Sequence, residues 1–118
     1  MTREEFTKVV EEVLDSLPKE FRRRIHNVAV LVEDLPPDQN PSLPGKPKLL
    51  RLGLFHGIPM TQKSVFRLPT GPDYVVLYQK NIEAICHNEA ELREQIRRTV
   101  VHEFGHYFGM TEEQLKGV

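Results

Sequence analysis

Apolar residues near the start of the chain recur at three- and four-residue steps: Phe6, Val9, Val10, Val13, Leu14 and Leu17. On a 3.6-residue helix that spacing gathers one stripe, so a helix is predicted over about Arg3–Leu17. Thr2 and Glu5 stand at the separation of a capping box, in which each side chain satisfies an amide of the first turn. Pro18 ends the pattern, because its ring clashes with the preceding turn and it has no amide hydrogen. A short second helical piece follows over Lys19–Ile25.

The pattern changes at Asn27. The stretch Asn27–Glu33 is short, β-branched and almost wholly apolar, and predicts a buried strand. Leu49–Phe55 reads as a second strand closed by Gly57 and Pro59, and Asp73–Gln79 as a third, entered through the turn signal Thr70-Gly71-Pro72. Ser64–Leu68 reads as either a short edge strand or a loop. Between Leu35 and Pro47 the chain carries five of its nine prolines, which makes that stretch a loop, too short for an interdomain linker. The last long element begins near Asn88, with Glu91 completing a second capping-box spacing. It runs through Leu92, Ile96, Val100 and Phe104 to about Phe108, and Gly109 follows where a left-handed residue ends a helix. Without internal repeats, the outline is α+β: one or two helices, a three- or four-stranded sheet, then one long helix.

Composition narrows the classes. At 118 residues and 13.7 kDa the chain has the size of a single domain, 1–118. Its longest apolar run, Val28–Val32, is far short of the roughly 20 residues that span a bilayer. No basic start followed by an apolar stretch and a small-residue cleavage site is visible. Neither secretion nor membrane insertion is therefore expected. Sixteen Lys and Arg against seventeen Asp and Glu give a net charge of −1, which argues against a nucleic-acid binder working by bulk charge. The run Arg22-Arg23-Arg24 reads as a solvated face. The single cysteine, Cys86, has no second thiol to pair with and fits a buried position in a reducing, cytoplasmic protein.

The chemistry sits in the last helix, at His102-Glu103-Phe104-Gly105-His106. Two histidines four apart project from one face of a helix, so that both imidazoles can reach one metal ion. Glu103 stands beside the first of them, where a carboxylate can reach a metal-bound water rather than the metal. Gly109 then turns the chain back toward that face. A third protein ligand would leave zinc one open position for the water.

The stretch His102–Gly109, reading His-Glu-Phe-Gly-His-Tyr-Phe-Gly, resembles the active-site segment of zincin metallopeptidases, with the metzincin-like glycine after the second histidine. It is most similar to a group of small bacterial proteins described as minimal zincins or zincin-like metallopeptidases. Gly53-Leu54-Phe55 with Gly57-Ile58-Pro59, Asp73-Tyr74 to Leu77-Tyr78, and Arg97-Arg98-Thr99 carry the likeness over roughly Asn27–Leu115. The resemblance implies a cut-down zincin fold, a small mixed sheet packed on the active-site helix with little or no C-terminal subdomain. It also implies zinc as cofactor and a peptide or protein as substrate. Where the metzincin pattern has a third histidine, and the minimal group an aspartate, this chain has Glu112. Glutamate is one methylene longer, so its backbone must stand further back to ligate. Glu112 competes with Glu113, with water, and with a bland alternative in which Thr111 and Gln114 form a capping box and both glutamates are first-turn acids.

With His102, His106 and Glu112 on zinc, the fourth position would hold a water of lowered pKa. Glu103 would act as general base toward that water and then as acid toward the leaving amine. Zincin substrates commonly lie extended along a sheet edge, but the sequence does not say which strand is the edge. His56 could line the cleft as a hydrogen-bond donor, although a lone histidine at a strand end is more often satisfied locally. The same holds for His26 and His87, and Tyr74, Tyr78 and Tyr107 read as packing. Only nine residues follow Gly109, so no lower wall of a cleft is expected. Two other readings stand beside the peptidase: a zinc-binding zincin module without proteolysis, and a structural domain whose histidine pair is incidental. Glu103, and the lack of a second cysteine for a closed four-ligand site, favour an open site.

Overall fold

Helix α1 (Arg3–Asp15) opens on the capping box that Thr2 and Glu5 encode, with both reciprocal bonds made. Its stripe of Phe6, Val9, Val10 and Val13 is buried. The helix stops two residues before the expected Leu17, where the Ser16 hydroxyl donates to the Val13 carbonyl (2.7 Å), yet Leu17 still reaches the core. Helix α2 (Lys19–Ile25), strands β1 (Ala29–Glu33), β2 (Gly53–His56) and β3 (Tyr74–Tyr78), and helices α3 (Gln79–Ile85) and α4 (Glu89–Tyr107) follow. The computed structural model describes residues 1–25, 28–37, 51–56, 73–107, 109–111 and 113, and of residues 24, 106 and 107 the backbone alone.

The described sheet has the order β1-β3-β2. Strand β1 runs parallel to β3, pairing Leu31 with Val76, and β2 runs antiparallel to it, pairing Leu54 with the same Val76. The central strand is apolar on both faces, as a strand covered on both sides must be. Val75 and Leu77 are fully buried, and Val76 and Tyr78 nearly so. Helices α1 and α4 meet one another and contribute most of the core. Leu92, Ile96, Val100, Val101 and Phe104 of α4 join the stripe of α1, and Phe21 of α2 meets Phe104 edge-to-face at 6.0 Å between ring centroids. This is a mixed α+β architecture of the expected kind, a small sheet on a long C-terminal helix.

Several elements differ in detail from the sequence expectation. Strand β1 is not buried: its residues alternate between exposed and half-buried, with Leu31 43% exposed. It lies at the sheet's edge among the described residues, and its apolar run is longer than its one covered face requires. The third strand ends at Tyr78, and Gln79 begins the unanticipated α3. Of that helix's apolar residues Ile82 is buried and Ile85 exposed, so no amphipathic stripe marks it. Side-chain bonds place it instead: Gln79 Nε2 donates to the Met1 and Thr2 carbonyls (2.9 and 3.3 Å), and Asn81 Nδ2 to the Arg51 carbonyl (2.7 Å). The strand expected over Leu49–Phe55 is narrower, Gly53–His56, and residues 49 and 50 lie outside the described residues. So do Ser64–Leu68, the turn at 70–72 and most of the proline-rich loop. Arg22 and Arg23 are exposed, with Arg23 beside Glu20 (3.6 Å), as a solvated face requires. Cys86 is half-buried against the core, and that desolvation, with the Glu91 charge, pushes its thiol up.

Candidate active site

Strand β2 and helix α4 build the site between them. The Tyr78 amide donates to the Leu52 carbonyl (2.9 Å), which fixes the phase of the antiparallel ladder. Bonded pairs then fall at every second residue, 54 with 76 and 56 with 74. The backbone groups of Gly53 and Phe55 consequently point away from β3, along the strand's outer edge. At that edge the Phe55 amide donates to Glu103 Oε2 at 3.0 Å. The residue singled out as general base is thus tied by its carboxylate to the main chain of β2, an edge strand among the described residues.

The helix supplies the rest by its periodicity. Residues 102 and 106 lie one turn apart on an uninterrupted stretch of α4, about 6 Å along the axis. Thr99 and Glu103 form the neighbouring line of the same flank. His102 is exposed, Glu103 half-buried, and Phe104 fully buried, so burying Phe104 against Phe21 fixes the rotation at which the helix presents its two neighbours. After α4 the chain turns sharply. Gly109 takes φ 68°, the left-handed conformation that costs other residues about 1–2 kcal/mol. The Met110 amide returns to the Gly105 carbonyl (2.8 Å), the six-to-one bond of a Schellman turn. Glu112 lies outside the described residues, as does His26. No cluster of three His, Cys, Asp or Glu that could hold a metal is present among the described residues, to which neither the His106 side chain nor Glu112 belongs. The chemistry of the donor set fits zinc, with two imidazole residues at i and i+4 and a carboxylate residue just past a tight turn.

The remaining histidines are placed elsewhere. His56 is paired with Tyr74 across β2 and β3, its ring stacked on the tyrosine at 4.6 Å between centroids and 9° between planes. By strand alternation it lies on the same face as the exposed Leu54, opposite the face on which Gly53 meets α4. His87 is at the far end of α4, where its ring and amide both engage Glu91 Oε2 (3.0 and 2.6 Å). Those bonds, the amide first, hold the Glu91 carboxyl below its usual range. A full capping box would have Glu91 reach back to the Asn88 amide. It instead reaches His87, one residue earlier, while its own amide bonds Asn88 Oδ1 (2.9 Å).

Two features were missed in the sequence. One is the Phe55–Glu103 contact, since no side-chain pattern reports a main-chain donor. The other is the close approach of Gly53 to α4, where a Cβ would stand 2.7 Å from Thr99 Cγ2 and 3.1 Å from the Val76 carbonyl oxygen. A glycine inside a strand pattern is itself a signal of such an approach.

A small mixed sheet whose antiparallel strand β2 lies against a helix bearing His-Glu-Phe-Gly-His defines a minimal zincin-like fold. The chain belongs to the family of zincin-like metallopeptidases, which matches it over residues 25–118. Among solved structures, a conserved hypothetical protein from Thermo thermophilus shares the fold. It is 24% identical over 98% of both chains, with a TM-score of 0.56. No curated protein matches the chain in sequence.

Proposed function

We propose that this protein is a zinc-dependent metallopeptidase in which His102, His106 and Glu112 hold the metal and Glu103 is the general base. Family membership supports the class of activity. The single observation that carries the finer reading is the contact between Glu103 and the Phe55 amide. A carboxylate serving only as a solvated helix charge has no reason to be held at the edge of a strand. A base must be held there, because an extended peptide recognised through main-chain bonds lies alongside such an edge.

Bound zinc supplies Lewis acidity, polarising the scissile carbonyl and making water nucleophilic near neutral pH. The chain's own residues do the remainder. The outer edge of β2 aligns the peptide backbone, and α4 sets the histidine flank beside it. Glu103, anchored through one oxygen, takes a proton from the attacking water and delivers it to the departing amine. Peptide hydrolysis needs no other co-reactant. The proposed setting is a reducing cytoplasm, which the unpaired Cys86 permits. Among the described residues no helix is long and apolar enough to cross a membrane.

The test is cleavage of an internally quenched peptide library by the zinc-loaded protein, with a chelated control and Glu103→Ala alongside. Cleavage lost in both, with zinc retained in the variant, is the expected result. Undiminished cleavage by Glu103→Ala would remove Glu103 as the base. No cleavage by the zinc-loaded wild type would leave a binding role for the same site.

A further inference from the structure

We propose that Gly53 and Thr99 form a positioning pair that sets the separation of β2 from α4, and with it the place of the Glu103 carboxylate along the strand edge. The inference rests on the reading of Glu103 as the base. Two residues of a strand advance about 6.7 Å, and four residues of a helix about 6 Å. Gly53 to Phe55 and Thr99 to Glu103 are therefore matching steps on two elements that run side by side. The Thr99 methyl faces Gly53 at one step, and the Glu103 carboxylate meets the Phe55 amide at the next.

Each partner of the first contact is fixed. Thr99 is buried, and its hydroxyl donates to the Gln95 carbonyl (2.8 Å) while accepting from Gln95 Nε2 (3.2 Å). Those bonds lock its χ1 and direct Cγ2 at the strand. Gly53 lacks the atom that would collide, and it is held in register by Leu77 of the central strand. Adding a methyl at position 53 must push β2 off α4, because the Thr99 methyl cannot swing away without breaking its hydroxyl bonds. The Phe55 amide would then withdraw from Glu103. The displaced strand would keep its own outward main-chain groups, so it still aligns the peptide while the base is misplaced relative to it.

The experiment uses Gly53→Ala, Thr99→Ser and their combination in the full-length, zinc-loaded chain. Serine keeps the hydroxyl and deletes the methyl. Exchange of the Phe55 amide is read by NMR, and kcat and KM on the library peptide that the wild type cleaves best. Gly53→Ala should speed Phe55 exchange roughly tenfold, as loss of a hydrogen bond to a charged acceptor implies. It should lower kcat up to about 100-fold, the scale of a one-ångström misplacement, with KM little changed. Adding Thr99→Ser should restore most of both. Unchanged exchange in Gly53→Ala, or no recovery in the double variant, would overturn the proposal. If Gly53→Ala does not fold, the double variant decides: with the Thr99 methyl gone it must fold, with Phe55 exchange near the wild-type rate, and failure to do so would overturn the proposal as well. The exchange readout does not depend on catalysis. A wild type that cleaves nothing would defeat the peptidase reading, while Phe55 exchange would still decide whether the pair sets the strand.

Discussion

Glu103 shows how one side chain can be specified from two directions. Its position in the chain follows from the helix motif, and its carboxylate is aimed by a strand that lies almost fifty residues earlier. Removing the carboxylate should leave the helix and its histidines in place. Glu103→Ala is therefore expected to retain zinc while losing roughly 100- to 10,000-fold in hydrolysis, the usual contribution of a positioned base. Parallel assays of metal content and turnover check this. Phe104 carries the complementary burden. It is fully buried against Phe21 and the core, so Phe104→Ala should cost about 3–5 kcal/mol in urea unfolding. Gly109 is different again, because its φ of 68° penalises any Cβ. Gly109→Ala should lower stability by about 1–2 kcal/mol in the same unfolding measurement.

At the scale of elements, what was legible followed periodicity and local capping. The stripe and box of α1, the course of α4 from its asparagine cap to Gly109, and the core of β3 all carry their information within a few residues. What was not legible depends on partners remote in sequence. Helix α3 is placed by Gln79 and Asn81 reaching the carbonyls of Met1, Thr2 and Arg51, which no local pattern encodes. Strand β1 looked buried because apolar composition cannot tell a central parallel strand from an edge one. In the site, the helix pattern points to Glu103 and the histidine pair, but not to the strand whose Phe55 amide meets Glu103. Only the glycine at 53 hinted at close approach. Capping should be separable from function. Thr2→Ala should cost about 1 kcal/mol in thermal or urea unfolding, without altering zinc content.

Across the whole molecule, α1 is tied down at several points. Arg3 donates to the Val32 carbonyl (2.6 Å) and pairs with Asp34 beyond the end of β1, and Glu12 accepts from Arg93 of α4 (2.7 Å). The Arg3 guanidinium holds the Asp34 carboxyl below its ordinary range, chiefly through that hydrogen bond. A carboxyl lowered on folding contributes stability that is present above its unfolded pKa and lost as pH falls through its folded pKa. The Arg3–Asp34 tie should therefore weaken only on the acid limb. In Arg3→Ala, NMR titration should show the Asp34 midpoint rising toward the ordinary carboxylate value. A midpoint that does not move would assign the shift to something other than Arg3. These ties fasten α1 to the sheet and to α4, whose far end bears the proposed metal-binding flank. The central claim is that this flank holds zinc, and it is tested most directly by elemental analysis of untagged protein beside its His102→Ala variant. The account predicts near one zinc per chain in the wild type and little in the variant. Absence of zinc from the wild type, even after incubation with the metal, would contradict it.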